Sequence, residues 1–171
     1  MPIPHDPLGR ALLALASIAA AAAITPNAVA ADDAQLQRMA LCQDSWFDWK
    51  DDEARMRRFV SDVESRFEEV PQGAGGFRPK VSVQALGYPI TQLYPQSVGM
   101  GVGISLVVNA DFVSARSAIE QRLGRPLICN TSDGMRACEL KLGEKKTALL
   151  VTGQNGAAKT SLVGCYYFYE K

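Results

Sequence analysis

The stretch "CNTSDGMRAC", from Cys129 to Cys138, carries the strongest local signal in the chain. Asp133-Gly134 stands at its centre, and a two-residue type I′ turn needs φ > 0 at both central positions, which this pair tolerates best. With that pair in the turn, Ser132 faces Met135, Thr131 faces Arg136, Asn130 faces Ala137 and Cys129 faces Cys138. Ser132 and Met135 close the turn as a hydrogen-bonded pair. By alternation the cysteines form a non-hydrogen-bonded pair with Cα atoms about 4.5 Å apart, within reach of a disulfide.

Working outward, strands are predicted at about Leu127–Thr131, Arg136–Leu142, Thr147–Thr152 and Ser161–Tyr169. Short turns impose antiparallel neighbours, so these four form a meander. Along the second, Cys138, Leu140 and Leu142 alternate with Glu139 and Lys141, which predicts one packed and one wet side. The connection between the last two strands, within "VTGQNGAAKTSLVG" (Val151 to Gly164), is close to a phosphate-binding loop. Ala158 replaces its second glycine, and the β-branched, aromatic run that follows is no helix, so the reading is a turn at Asn155-Gly156. "GMGVG", Gly99 to Gly103, leads into a strand and fails the same test.

Upstream, "NADFVSARSAIEQRLGRP" has the marks of an amphipathic helix, with Asn109 or Asp111 as its cap and Gly124 as its stop. Asp33 to Val70 is helical in pattern, as two helices meeting near "DWKDD". Leu36, Met39, Cys42 and Trp46 line the first. Met56, Phe59, Val60, Val63, Phe67 and Val70 form a stripe on the second, with Asp51 and Asp52 at its start. "PQGAGGFRP" (Pro71 to Pro79) reads as a connector, "KVSVQALG" (Lys80 to Gly87) and "VGISLVV" (Val102 to Val108) as strands. Between them Tyr88 to Gly101 reads as a long irregular loop with a repeated Tyr-Pro pair. Helices on one side of an antiparallel meander define an α+β fold.

Residues 1–30 read as an export signal: Arg10, an Ala-rich uncharged run from Ala11 to Ile24, then "AVA" before "ADD". The run is shorter than the roughly 20 apolar residues a membrane span needs. Residues 31–171 are expected to be one domain, periplasmic or secreted. In an oxidising compartment the four cysteines are expected to form two disulfides. Of three possible connectivities the hairpin favours Cys129 with Cys138, which leaves Cys42 with Cys165.

The only histidine, His5, lies in the leader, so the expected mature chain has no imidazole for Ser-His-Asp, Cys-His or zinc-histidine chemistry. No Ser or Thr stands three residues before a lysine, which removes the Ser-x-x-Lys arrangement. Carboxylate-only hydrolysis of a cell-wall polymer is the remaining enzymatic reading, with Asp111, Asp133, Glu139 and Glu144 as the acids of the sheet half. No metal, cofactor, nucleotide or nucleic acid is expected.

Two binding readings rank above the enzyme. In the first, the chain is a non-enzymatic module, of inhibitor or immunity type, that binds another protein of the envelope or exterior. Its apolar anchor is the Tyr88–Gly101 loop, with Tyr88, Pro89, Leu93, Tyr94, Pro95 and Gln96. In the second, Arg136, Lys141, Lys145, Lys146 and Lys159 form a basic sheet face for an anionic cell-wall or lipid surface. The charge is uneven: eleven acids against six bases from Ala31 to Val70, and six against eleven from Pro71 to Lys171. That asymmetry suits either an anionic partner or the packing of one half on the other.

Overall fold

A computed structural model describes residues 33–49, 51–70, 75–98, 101–132, 134–152 and 159–168. The predicted leader, Asp133 and residues 153–158 lie outside them. Each helix starts where a carboxylate satisfies its free N–H groups. Asp33 accepts from Gln35 and Leu36 at 3.1 and 2.8 Å to open α1 (Ala34–Ala40). After a single 3₁₀ turn at Trp46–Trp49, Asp52 accepts from Arg55 at 2.9 Å to open α2 (Glu53–Arg66). Asp111, not Asn109, caps α3 (Phe112–Leu123), and Gly124 ends it at φ 64°. Among the described residues no helix is long and apolar enough to cross a membrane.

These helices pack on one side of a nine-stranded antiparallel sheet, as the α+β reading expects. Its strands are β1 (Phe67–Glu69), β2 (Phe77–Pro79), β3 (Gln84–Ala85), β4 (Tyr88–Val98) and β5 (Gly101–Val108), then β6 (Ile128–Ser132), β7 (Met135–Lys141), β8 (Lys146–Thr152) and β9 (Ser161–Phe168). The order is β1-β2-β4-β5-β9-β8-β7-β6, with β3 also against β4. The meander β6 to β9 therefore docks as a block through β9 on β5, while α3 carries the chain from β5 to the far edge. Leu36, Met39 and Ile119 of the helices are buried against Leu106, Val108, Leu150 and Val163 of the sheet.

The hairpin has the predicted register from Ser132 opposite Met135 to Cys129 opposite Cys138, with Gly134 at φ 75°. Its cysteines are bridged, with Cα atoms 3.9 Å apart. The second bridge joins Cys42, just beyond α1, to Cys165 at the centre of β9. Thr152 pairs with Ser161, and a strand follows Lys159 and Thr160 where a phosphate loop requires a helix.

Four expectations are corrected. The second helix does not reach Val70: Phe67 turns to extended geometry (φ −125°, ψ 155°) and begins β1 opposite Pro79. A buried Phe fits the helical stripe and the start of a strand equally well. The Pro71–Pro79 connector contributes β2 at its end. The strand expected over Lys80–Gly87 shrinks to Gln84–Ala85, because Leu86 and Gly87, both at positive φ, turn the chain into β4.

The largest correction concerns Tyr88–Gly101: Tyr88–Val98 is the longest strand among the described residues and pairs with β5 from Ile90 to Val98. Pro95 is tolerated because, among the described residues, β2 meets β4 only at Leu93, which leaves Pro95 without a partner strand on that side. A bulge between Ile90 and Gln92 hides the alternation: Ile90 pairs with Val108, but Gln92 pairs with Val107. Even-numbered Ile90 and odd-numbered Leu93 are consequently both buried on the helix side.

Candidate binding groove

On α2, Phe59 and Val63 point into the core, while Val60, about 100° round the helix from Phe59, stays 44% exposed. Between this flank of α2 and the sheet lies an apolar groove of about 190 Å³. Phe59, Val60 and Val63 form one wall; Phe77 of β2, Leu93 and Pro95 of β4 and Ile104 of β5 form the other. Among the described residues Glu64 is the one ionisable residue that lines it. The bulge is what makes this possible, since it brings Leu93 and Pro95 round to the helix side.

A buried polar knot holds the α2 wall in place. The Asp44 carboxylate, only 11% exposed, accepts from the Trp49 indole N–H at 2.8 Å, the Ser45 N–H at 3.0 Å and the Arg55 guanidinium at 2.8 Å. Arg55 also stacks over the Trp49 ring at 4.3 Å, and Trp49 meets Phe59 edge to face at 5.4 Å. From β9, the Tyr167 hydroxyl donates to the Asp44 carbonyl at 3.2 Å, and burial pushes its phenol up to about 12. One apolar groove wall is thus tied through Phe59, Trp49 and Asp44 to the central strand.

Of the six residues expected to form a contact surface, the structure brings two together. Leu93 and Pro95 line the groove. Tyr88 packs half-buried on the core at the other end of β4, beside exposed Pro89. Tyr94 points to the opposite face, its hydroxyl on Gln92 at 2.7 Å and its ring in the space that a side chain on Gly76 would occupy. The backbone of Gln96 pairs with Gly103; its side chain is outside the described set. The α2 residues were legible only as a core stripe. Its unusual width, with Val60 beside Phe59, is the one sequence signal that part of it faces something other than the core.

The expected basic sheet face is not assembled. Arg136 lies on the helix side over the Phe112 ring at 5.6 Å. Lys146 is on that side too, 5.1 Å from the Tyr167 ring centre and 3.5 Å from the Asp48 carboxylate. Lys141 alternates to the other face, and Lys145 and Lys159 are exposed outside the strands. Two of the four candidate acids share one depression, and the others do not join them among the described residues. Asp111 is consumed as a cap, its carboxyl held below the usual range by the Ser114 N–H and hydroxyl. Asp133 is outside the described set. Glu139 and Glu144 line a depression of about 470 Å³ at the β7–β8 turn with Lys141 and Thr147. Among the described residues no group of three or more His, Cys, Asp or Glu side chains is arranged to hold a metal ion.

These features define a disulfide-braced α+β protein, and its two bridges point to an oxidising, extracytoplasmic environment. No protein-family model, curated protein or solved structure matches the chain.

Proposed function

We propose that the chain is an exported, non-enzymatic protein-binding module, periplasmic or secreted, whose α2–β4 groove receives one apolar side chain of another envelope or extracellular protein. The observation that carries this reading is the groove itself: an apolar recess of about 190 Å³ with a half-exposed valine at its lip. Small-molecule pockets usually enclose about 300–1,000 Å³. A recess below that range suits a single Leu- or Phe-sized anchor better than a free ligand, in the manner of interface hot spots.

Capture of the partner on the immobilised, oxidised protein is expected to survive about 0.5 M salt, because exposed charge pairing is screened beyond about 4 Å under those conditions and apolar contact is not. Val60→Asp places a charge at the groove lip and is expected to weaken capture at least tenfold, a loss of about 1.4 kcal/mol. Capture abolished by salt, or undiminished in Val60→Asp, would overturn the groove reading and favour an anionic surface as the target.

A further inference from the structure

The side of the sheet opposite the helices should be polar if water covers it. On β7 it is, with Glu139 and Lys141 outward. Further in, the pattern changes. Cross-strand partners place Ala137, Val151, Leu162 and Val107 in one row over β7, β8, β9 and β5, without a polar side chain among them. The next row adds Leu149 with Gly164 and the buried Ser105, the one after it Thr147 with the buried Tyr166, and Phe168 stands 44% exposed at the end of β9. The helices pack on the other side, through the residues that alternate with these.

We infer that two copies of the chain pack face to face through this helix-free side. The argument rests on area and on charge. Four strands, β5, β9, β8 and β7, spaced about 4.8 Å apart and about seven residues long at roughly 3.4 Å each, cover roughly 450 Å² per copy, and β4 beside them places the hydrogen-bonded pair Gln92 and Tyr94 on this side. Two copies then bury about 900 Å², below the standard size of specific interfaces, which fits a weak, reversible dimer and not an obligate one. Glu139 and Lys141, two residues apart on β7, are the charged side chains that these rows present. A two-fold contact sets residue i on j and j on i, so a face that carries one charge of each sign complements its own copy, whereas a face of one sign would repel itself. An anionic membrane would instead call for several unopposed lysines. The groove lies on the other side of the sheet, so the dimer leaves it open.

Sedimentation of the purified, oxidised protein is expected to show an average mass that climbs from one chain toward two as concentration rises. Leu162→Arg, at the centre of the apolar row, is expected to weaken association at least tenfold. Because that variant disturbs a packed strand, a second pair checks the claim on exposed positions. Glu139→Lys is expected to weaken the dimer several-fold, and Glu139→Lys with Lys141→Glu to restore it. Val60→Asp is expected to leave the dimer unchanged, which separates this inference from the groove. A single chain at every concentration up to about 1 mM, or a dimer indifferent to both Leu162→Arg and Glu139→Lys, would overturn it. So would a face that captures only a different protein.

Discussion

Ser105 sits fully buried in β5, yet its hydroxyl has no hydrogen-bond partner among the described residues. A buried polar group left unpaired costs about 1–3 kcal/mol, so Ser105→Ala is expected to hold or raise stability in urea unfolding. Its partner across the ladder is Gly164, where an added Cβ would overlap the Ser105 Oγ and press on the Ile104 carbonyl. Gly164→Ala is therefore expected to destabilise by about 1–3 kcal/mol, and by less in the Ser105→Ala background, where one obstacle is gone. Tyr167 gives a pH dependence. Its native phenol titrates near 12 and the unfolded one near 10, chiefly because it is buried. Its contribution is complete below pH 10 and is lost as pH rises toward 12. Unfolding free energies of the native chain are expected to fall more steeply over that interval than those of Tyr167→Phe. Equal slopes would show that the phenol is solvated. None of these positions was legible as special in the sequence, because an unpaired hydroxyl and a cross-strand collision exist only once the register is known.

At the scale of elements, the two bridges stabilise unequally. Cys42–Cys165 spans 123 residues of sequence and Cys129–Cys138 spans 9, so closing them removes chain entropy worth about 5 and about 3 kcal/mol. Replacing Cys42 and Cys165 together by alanine is expected to lower the melting temperature more than replacing Cys129 and Cys138, because only the former releases α1 from β9. The hairpin bridge was legible because a two-residue Asp-Gly turn fixes register by itself, and the other followed by elimination. Carboxylate caps marked the helix starts for an equally local reason. Strand β4 was illegible because two separate devices disguise it. Pro89 and Pro95 signal a break, and the bulge at Thr91 interrupts the alternation that identifies a half-buried strand. Leu93 and Pro95 were therefore singled out for a correct property, apolar side chains with few charges nearby, and placed in the wrong element. Tyr94 was grouped with them although the pleat sends it to the other face.

Over the whole molecule, the sheet divides two apolar surfaces. On the helix side α2 leaves part of β4 and β5 uncovered and forms the groove. On the other side β8, β9 and β5 present the flat row through Val151 and Leu162. The α+β architecture was legible because four short strands joined by tight turns admit few alternatives, and the intervening helix has both its caps. The apolar second face was not, because the wet side was inferred from Glu139 and Lys141 on β7, close to the edge of the sheet, and does not extend to its centre. The most direct test of groove-mediated binding is site-specific photocrosslinking in the native envelope. A photoreactive residue replaces either Val60 at the groove lip or Val113, an exposed valine on α3. One discrete protein adduct formed from position 60, and absent from position 113, is the expected result. No adduct at 60, or the same adduct from both positions, would contradict the account.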